Sequence, residues 1–107
     1  MATQAVRAAS DPSRDPAAEE QRRLNGIRAA IRDGATGLAL TLIDQWLAAA
    51  PGRGDLHLLK GAAFEQEGRP ESAKTEFLRA AELLPRSIEP IIRAARLSRD
   101  LGQPARS

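Results

Sequence analysis

The sequence predicts an all-α fold of five helices. Composition is the first reason: 42% of the 107 residues are hydrophobic but only 3% are aromatic, and Ala supplies about half of the apolar count. Alanine is the best helix former and the smallest core filler, whereas Val, Ile, Thr, Phe and Tyr, which favour strands, are sparse. The second reason is punctuation by Gly and Pro, as where Gly68 and Pro70 divide two apolar stretches of helical length. The third is period. Gly34, Gly68 and Gly102 are spaced by 34 residues twice over, and Pro51 and Pro85, Ala39 and Ala73, and Pro70 and Pro104 keep the same spacing. Leu24, Leu58 and Ile92 form an apolar series at that offset, as do Ile43 and Phe77. Several residue types sharing one period mark an internal repeat.

The elements follow in order. Residues 1–15 read as a flexible, polar leader, because MATQAVRAAS lacks the apolar run of a secretory signal and Asp11 and Asp15 follow closely. Residues 16–107 form the helical domain. Asp15 and Pro16 make an N-cap and first helical residue, and that helix runs to about Asp33. Gly34 ends it, where a left-handed residue is wanted. LALTLIDQWLAAA, from Leu38 to Ala50, is the second helix, stopped by Pro51 and Gly52. Asp55 is expected to cap a third helix ending at Gly68, and Pro70 opens a fourth that ends before Pro85. Ser87 is expected to cap a fifth helix through about Leu101, stopped by Gly102 and Pro104. The short turns make consecutive helices antiparallel neighbours.

In GAAFEQEGRPESAKTEFLRAAELLP, residues 61–85, the placement of Gly61, Phe64, Gly68, Ala73, Phe77, Ala80 and Pro85 resembles a tetratricopeptide repeat, a 34-residue helix-turn-helix unit. Gly61 matches the family's small residue on the first helix, and Phe64 its aromatic one turn later. Gly68 matches the turn, Ala73 and Ala80 the small residues of the second helix, Phe77 its aromatic and Pro85 the stop. Small residues let helices approach closely, and the aromatics fill the volume between one pair and the next. The repeats span about 20–53, 54–87 and, in part, 88–107. The first departs with Ile27 in the Gly slot, Ala30 in the aromatic slot and Trp46 where Ala is expected. The second departs with His57 in an aromatic slot and Lys60 where Leu is common, and the third supplies a first helix with Ala95 in the small slot.

Composition excludes several functions. A pI near 9.9 arises because Arg outnumbers Lys fourteen to two, but the net charge is only +2, and no dense basic patch with stacking aromatics is present to grip nucleic acid. Without Cys there is no disulfide framework, thiolate nucleophile or Cys-ligated zinc. One His and no HExxH spacing leave no metal site, and no cofactor motif is present. No apolar run approaches the roughly 18 to 20 residues of a membrane span. Glu65 and Glu67 lie two apart and so do not share a helix face. His57 and Trp46 read as packing residues rather than reactive ones. No acid–base or nucleophile–base arrangement stands out, so the chain is not expected to be an enzyme.

The resemblance implies a short right-handed superhelix of antiparallel hairpins whose first helices line a concave groove. Carried onto this sequence, the groove positions are Leu24, Arg28, Ile31 and Arg32 from the first unit. The second contributes Leu58, Ala62, Glu65 and Gln66, and the third Ile92, Arg93, Arg96 and Arg99. That surface suits a protein or peptide with acidic and apolar residues; the alternative is an ordinary solvated charged face. Family members that grip a chain-terminal carboxylate use Lys and Asn in the groove, and Leu24 with Leu58 or Leu59 replaces most of that set, which disfavours a chaperone-tail receptor. The expectation is a cytoplasmic, non-enzymatic protein-binding scaffold. The rivals are an N-terminal accessory domain of a larger transferase- or hydroxylase-type enzyme, and a homo-oligomerisation domain. In the last helix, Ile91, Ala94, Ala95 and Leu97 are expected inward and Arg93, Arg96 and Asp100 outward. Ile88, Ile92 and Leu101 then form a spare apolar patch for a partner or a second copy.

Overall fold

The computed structural model describes residues 15–102. Within them the chain forms five helices: α1 Pro16–Arg32, α2 Thr36–Ala49, α3 Gly54–Gln66, α4 Pro70–Leu83 and α5 Glu89–Leu101. No strand occurs among the described residues. The leader expected over 1–15 lies outside them except for Asp15, as does Pro104.

Local chemistry sets most boundaries. Asp15 caps α1, its Oδ1 accepting the Ala17 N–H at 3.0 Å, and Pro16 needs no such partner. Gly34 and Gly68 follow α1 and α3 with φ of 87° and 76°, and a side chain at either would meet nothing within 4 Å. Backbone conformation, not space, therefore requires glycine there.

Three starts differ from expectation. α2 begins at Thr36, two residues before Leu38, with Ala35 at the N-cap, and the buried Thr36 donates its hydroxyl to Glu67 Oε2 at 2.8 Å. Asp55 is not the cap of α3: the helix begins at Gly54, and Asp55 in its first turn binds Arg53 and the Leu56 N–H. Ser87 does not cap α5 either. Its N–H is donated to the Leu84 carbonyl in the turn closing α4, and Ile88 takes the N-cap position without a side-chain cap.

Consecutive helices pack side by side, and α1 also packs on α3. One buried cluster joins Leu24, Ile27 and Ala30 of α1, Ala39, Ile43 and Trp46 of α2, and Leu56 of α3. The other joins Ala73 and Phe77 of α4 to Ala94 and Leu97 of α5, with Leu58 and Phe64 of α3 packed against it. α3 thus serves both clusters. Residues 34 apart take corresponding places: Ala39 and Ala73 are fully buried, and so are Ile43 and Phe77. Burying a large apolar side chain stabilises a fold by roughly 1.5–3 kcal/mol, so these positions carry much of the core.

The last helix differs from expectation in rotation. Pro90, Ala94 and Leu97 face the core, whereas Ile91 and Ala95, expected inward, are exposed. α5 carries apolar residues on two opposite sides, and the pair α4 accepts is the one that meets Phe77.

Candidate interaction cleft

α1, α3 and α5 each turn one face toward a shared cleft of about 290 Å³. Arg28 and Ile31 come from α1, Asp55, Leu58, Leu59 and Ala62 from α3, and Glu89 and Arg93 from α5. Helical spacing explains the set: residues three, four and seven apart stack on one side, so Asp55, Leu58, Leu59 and Ala62 form a stripe, as do Glu89 and Arg93. The apolar floor is Ile31, Leu58, Leu59 and Ala62, with charged groups around it.

Most of those charges are already paired. Arg53 grips Asp55 with two bonds, Nη2 to Oδ2 at 2.6 Å and Nε to Oδ1 at 3.0 Å, and reaches Glu20 of α1 at 3.1 Å. Its guanidinium also lies 4.9 Å from the centre of the Trp46 ring, while that of Arg23 lies at 4.1 Å. This knot ties α1, α2 and α3 together beside the cleft. Hydrogen bonding to Asp55 raises the Arg53 pKa above its ordinary value, outweighing its burial. Burial pushes the Asp55 carboxyl up, but the Arg53 hydrogen bond and charge and the Leu56 N–H together hold it below the usual aspartate value. Across the cleft, Arg93 binds Glu89 at 3.0 Å and stands 3.9 Å from Glu65. Arg28 differs. Among the described residues its side chain makes one long hydrogen bond, 3.5 Å to Asn25 Oδ1, and has no carboxylate partner.

The structure therefore brings together Arg28, Leu58, Ala62 and Arg93 of the expected groove residues, with Ile31 beside them. Glu65 borders the cleft through Arg93 and through Arg96, whose Nη2 lies 3.4 Å from Glu65 Oε2. Leu24 is a correction: it is buried in the core and offers nothing to a ligand, because α1 is covered there by α2 and α3. Arg32 is outside the cleft, with a side chain 75% exposed and 3.9 Å from Asp33. Gln66 is exposed and does not line it, and Ile92, Arg96 and Arg99 meet on a separate part of α5. Asp55, Leu59 and Glu89 were not foreseen as lining residues. The spacing of Asp55 to Leu58 and Ala62, and of Glu89 to Arg93, was the available signal.

The two residues read as packing residues each join neighbouring helices. His57 Nδ1 lies 2.8 Å from Glu76 Oε1, tying α3 to α4, and Trp46 is core beneath its arginines. Among the described residues, no group of three or more metal-ligating side chains stands close enough to hold an ion, and no helix is long and apolar enough to cross a membrane.

Comparisons of the chain with protein-family models, with characterised proteins and with solved structures give no match.

Proposed function

We propose that the chain is a short array of the tetratricopeptide kind, a protein-interaction module whose cleft between α1, α3 and α5 binds a segment carrying both acidic and apolar residues. The observation that carries this is the combination of an apolar floor with one cation, Arg28, that has no carboxylate partner among the described residues. Asp55 and Glu89 are held by Arg53 and Arg93, so a ligand carboxylate beside Arg28 adds a pair without breaking one. The apolar side chains of the segment would cover Ile31, Leu58, Leu59 and Ala62, which supplies the non-directional part of the affinity. A scaffold or adaptor role in the cytoplasm belongs to the same proposal.

The test uses labelled peptides that alternate Glu with Leu, and twins with Lys in place of Glu, measured by fluorescence anisotropy. The acidic peptide binds and the basic twin does not. Affinity falls as salt rises from about 20 to 150 mM, because exposed ion pairs are screened over a Debye length of roughly 8 Å at physiological salt. Arg28→Glu abolishes binding. An acidic peptide that binds equally well to Arg28→Glu, at every salt concentration, would refute the proposal.

A further inference from the structure

α5 carries a second surface, separate from the cleft, and the repeat period says what it is for. In α3, Leu56 and Ala63 are fully buried, with Leu56 in the cluster of the preceding hairpin, while Gly54, His57 and Gly61 meet α4. Those last three contacts are direct. A side chain at Gly54 would collide with Leu84, one at Gly61 would collide with Phe77, and His57 bonds Glu76. In α1 the corresponding positions, 34 residues earlier, are Glu20, Arg23 and Ile27. Ile27 is buried in the cluster it shares with Ile43 of α2, and Arg23 lies over Trp46 of α2.

Adding 34 to the α3 positions gives the two sides of α5. Pro90 and Leu97 replace Leu56 and Ala63, and both are buried, Leu97 beside Phe77. Ile88, Ile91 and Ala95 replace Gly54, His57 and Gly61, with Ile92 in the place of Leu58. Among the described residues nothing covers them: Ile88, Ile91 and Ile92 are 70%, 54% and 55% exposed. The side of α5 that stands open is therefore the side on which α1 and α3 each receive a helix. Arg96 and Arg99 share this surface with Ile92 and Ala95. Among the described residues Arg99 has no carboxylate partner, whereas Arg96 has a long contact to Glu65 at 3.4 Å and Glu89 is held by Arg93.

We infer that the open face of α5 docks an amphipathic helix of another protein, one with a small-and-apolar stripe flanked by acidic residues. The stripe is the pattern that α2 and α4 present to their own partners, Ala39–Ile43–Trp46 and Ala73–Phe77–Ala80. The acidic flank answers Arg99, which has no carboxylate partner among the described residues, and Arg96, which stays half exposed beside Glu65. A second copy of the same face fits less well, because Arg96 and Arg99 would then stand against their own equivalents.

The experiment uses the whole chain and a 14-residue probe, the length of Pro70–Leu83. The probe carries an Ala–Phe–Ala stripe at the spacing of Ala73, Phe77 and Ala80, with Glu on both flanks and a fluorescent label. Its twin has Lys on the flanks. The acidic probe gives saturable anisotropy and the twin does not. Ile88→Glu and Ile92→Glu, both at exposed positions and checked for unchanged circular dichroism, each weaken binding by roughly tenfold or more. Arg28→Glu leaves the affinity intact, which separates this face from the cleft. The inference is overturned if the acidic probe does not bind, if the twin binds equally, or if Arg28→Glu removes binding while the isoleucine variants retain it. It is also overturned if sedimentation shows a dimer that Ile92→Glu dissolves.

Discussion

A Cβ built on Gly61 of α3 would lie 2.5 Å from Cε1 of Phe77 on α4, closer than real Cβ contacts come. Phe77 is fully buried between α3 and α5 and has no room to withdraw. Gly54, seven residues earlier and so on the same side of α3, meets Leu83 and Leu84 as closely. Two glycines on one helix face thus let α3 and α4 approach closely, with the Phe77 ring filling the space at Gly61 and Leu83 and Leu84 the space at Gly54.

Gly61→Ala should destabilise the domain despite the better helix propensity of alanine. The propensity gain is at most about 1 kcal/mol, while forcing a methyl group into a packed core loses about 1–3 kcal/mol. The expected net loss of about 1 kcal/mol lowers the melting temperature by roughly 4–8 °C in a domain this small. Gly26→Ala is the control, since a side chain there meets nothing within 4 Å. It should raise the melting temperature, because only propensity changes.

Phe77→Ala should be far more damaging, by about 3–5 kcal/mol. Small domains have total stabilities of about 5–15 kcal/mol, and 107 residues with a thin core belong near the lower end. The variant should be largely unfolded at 37 °C by circular dichroism. An unchanged melting curve would place Phe77 outside the core.

Much of this packing was legible in the sequence. Gly34 and Gly68 announced turns, and the spacing of Gly61, Ala73, Phe77 and Ala80 announced a close helix pair with one large filler. The residues that escaped did so for physical reasons. Leu24 shares its register with Leu58, but α1 is covered by both α2 and α3 at that level, so Leu24 is core while Leu58 reaches the cleft. α5 has apolar residues on opposite sides, and pattern alone does not say which side meets Phe77. Asp55 is a good capping residue by type, yet the bidentate grip of Arg53 draws it elsewhere.

That grip gives the stability a signature in acid. Asp55 is held below its ordinary value of 3.8 in the folded chain, so its contribution is complete above that value and is lost as pH falls through the lower folded one. Asp55→Asn should therefore melt below the parent at neutral pH, with the gap closing as pH falls below 3.8 and the parent carboxylate protonates. A gap that stayed constant as the pH fell would show that Arg53 does not stabilise the ionised form.

Removing everything after Pro85 should unfold or aggregate the remainder. α5 supplies Ala94 and Leu97 against Ala73 and Phe77, and without it that side of the second cluster faces water. Repeat arrays need a covered outer end for solubility. A truncated chain that stayed monomeric in sedimentation, with an unchanged melting temperature, would show that α5 does not close the core.

The central functional claim is that one cleft, built by α1, α3 and α5, receives an acidic and apolar segment. Amide chemical-shift mapping during titration with the alternating Glu–Leu peptide tests it most directly. The account predicts saturable shifts concentrated at Arg28, Ile31, Leu58, Leu59, Ala62 and Arg93, the residues that line the cleft on three separate helices. Shifts that cluster instead on the opposite faces of α2 and α4, or no shifts at saturating peptide, would contradict it.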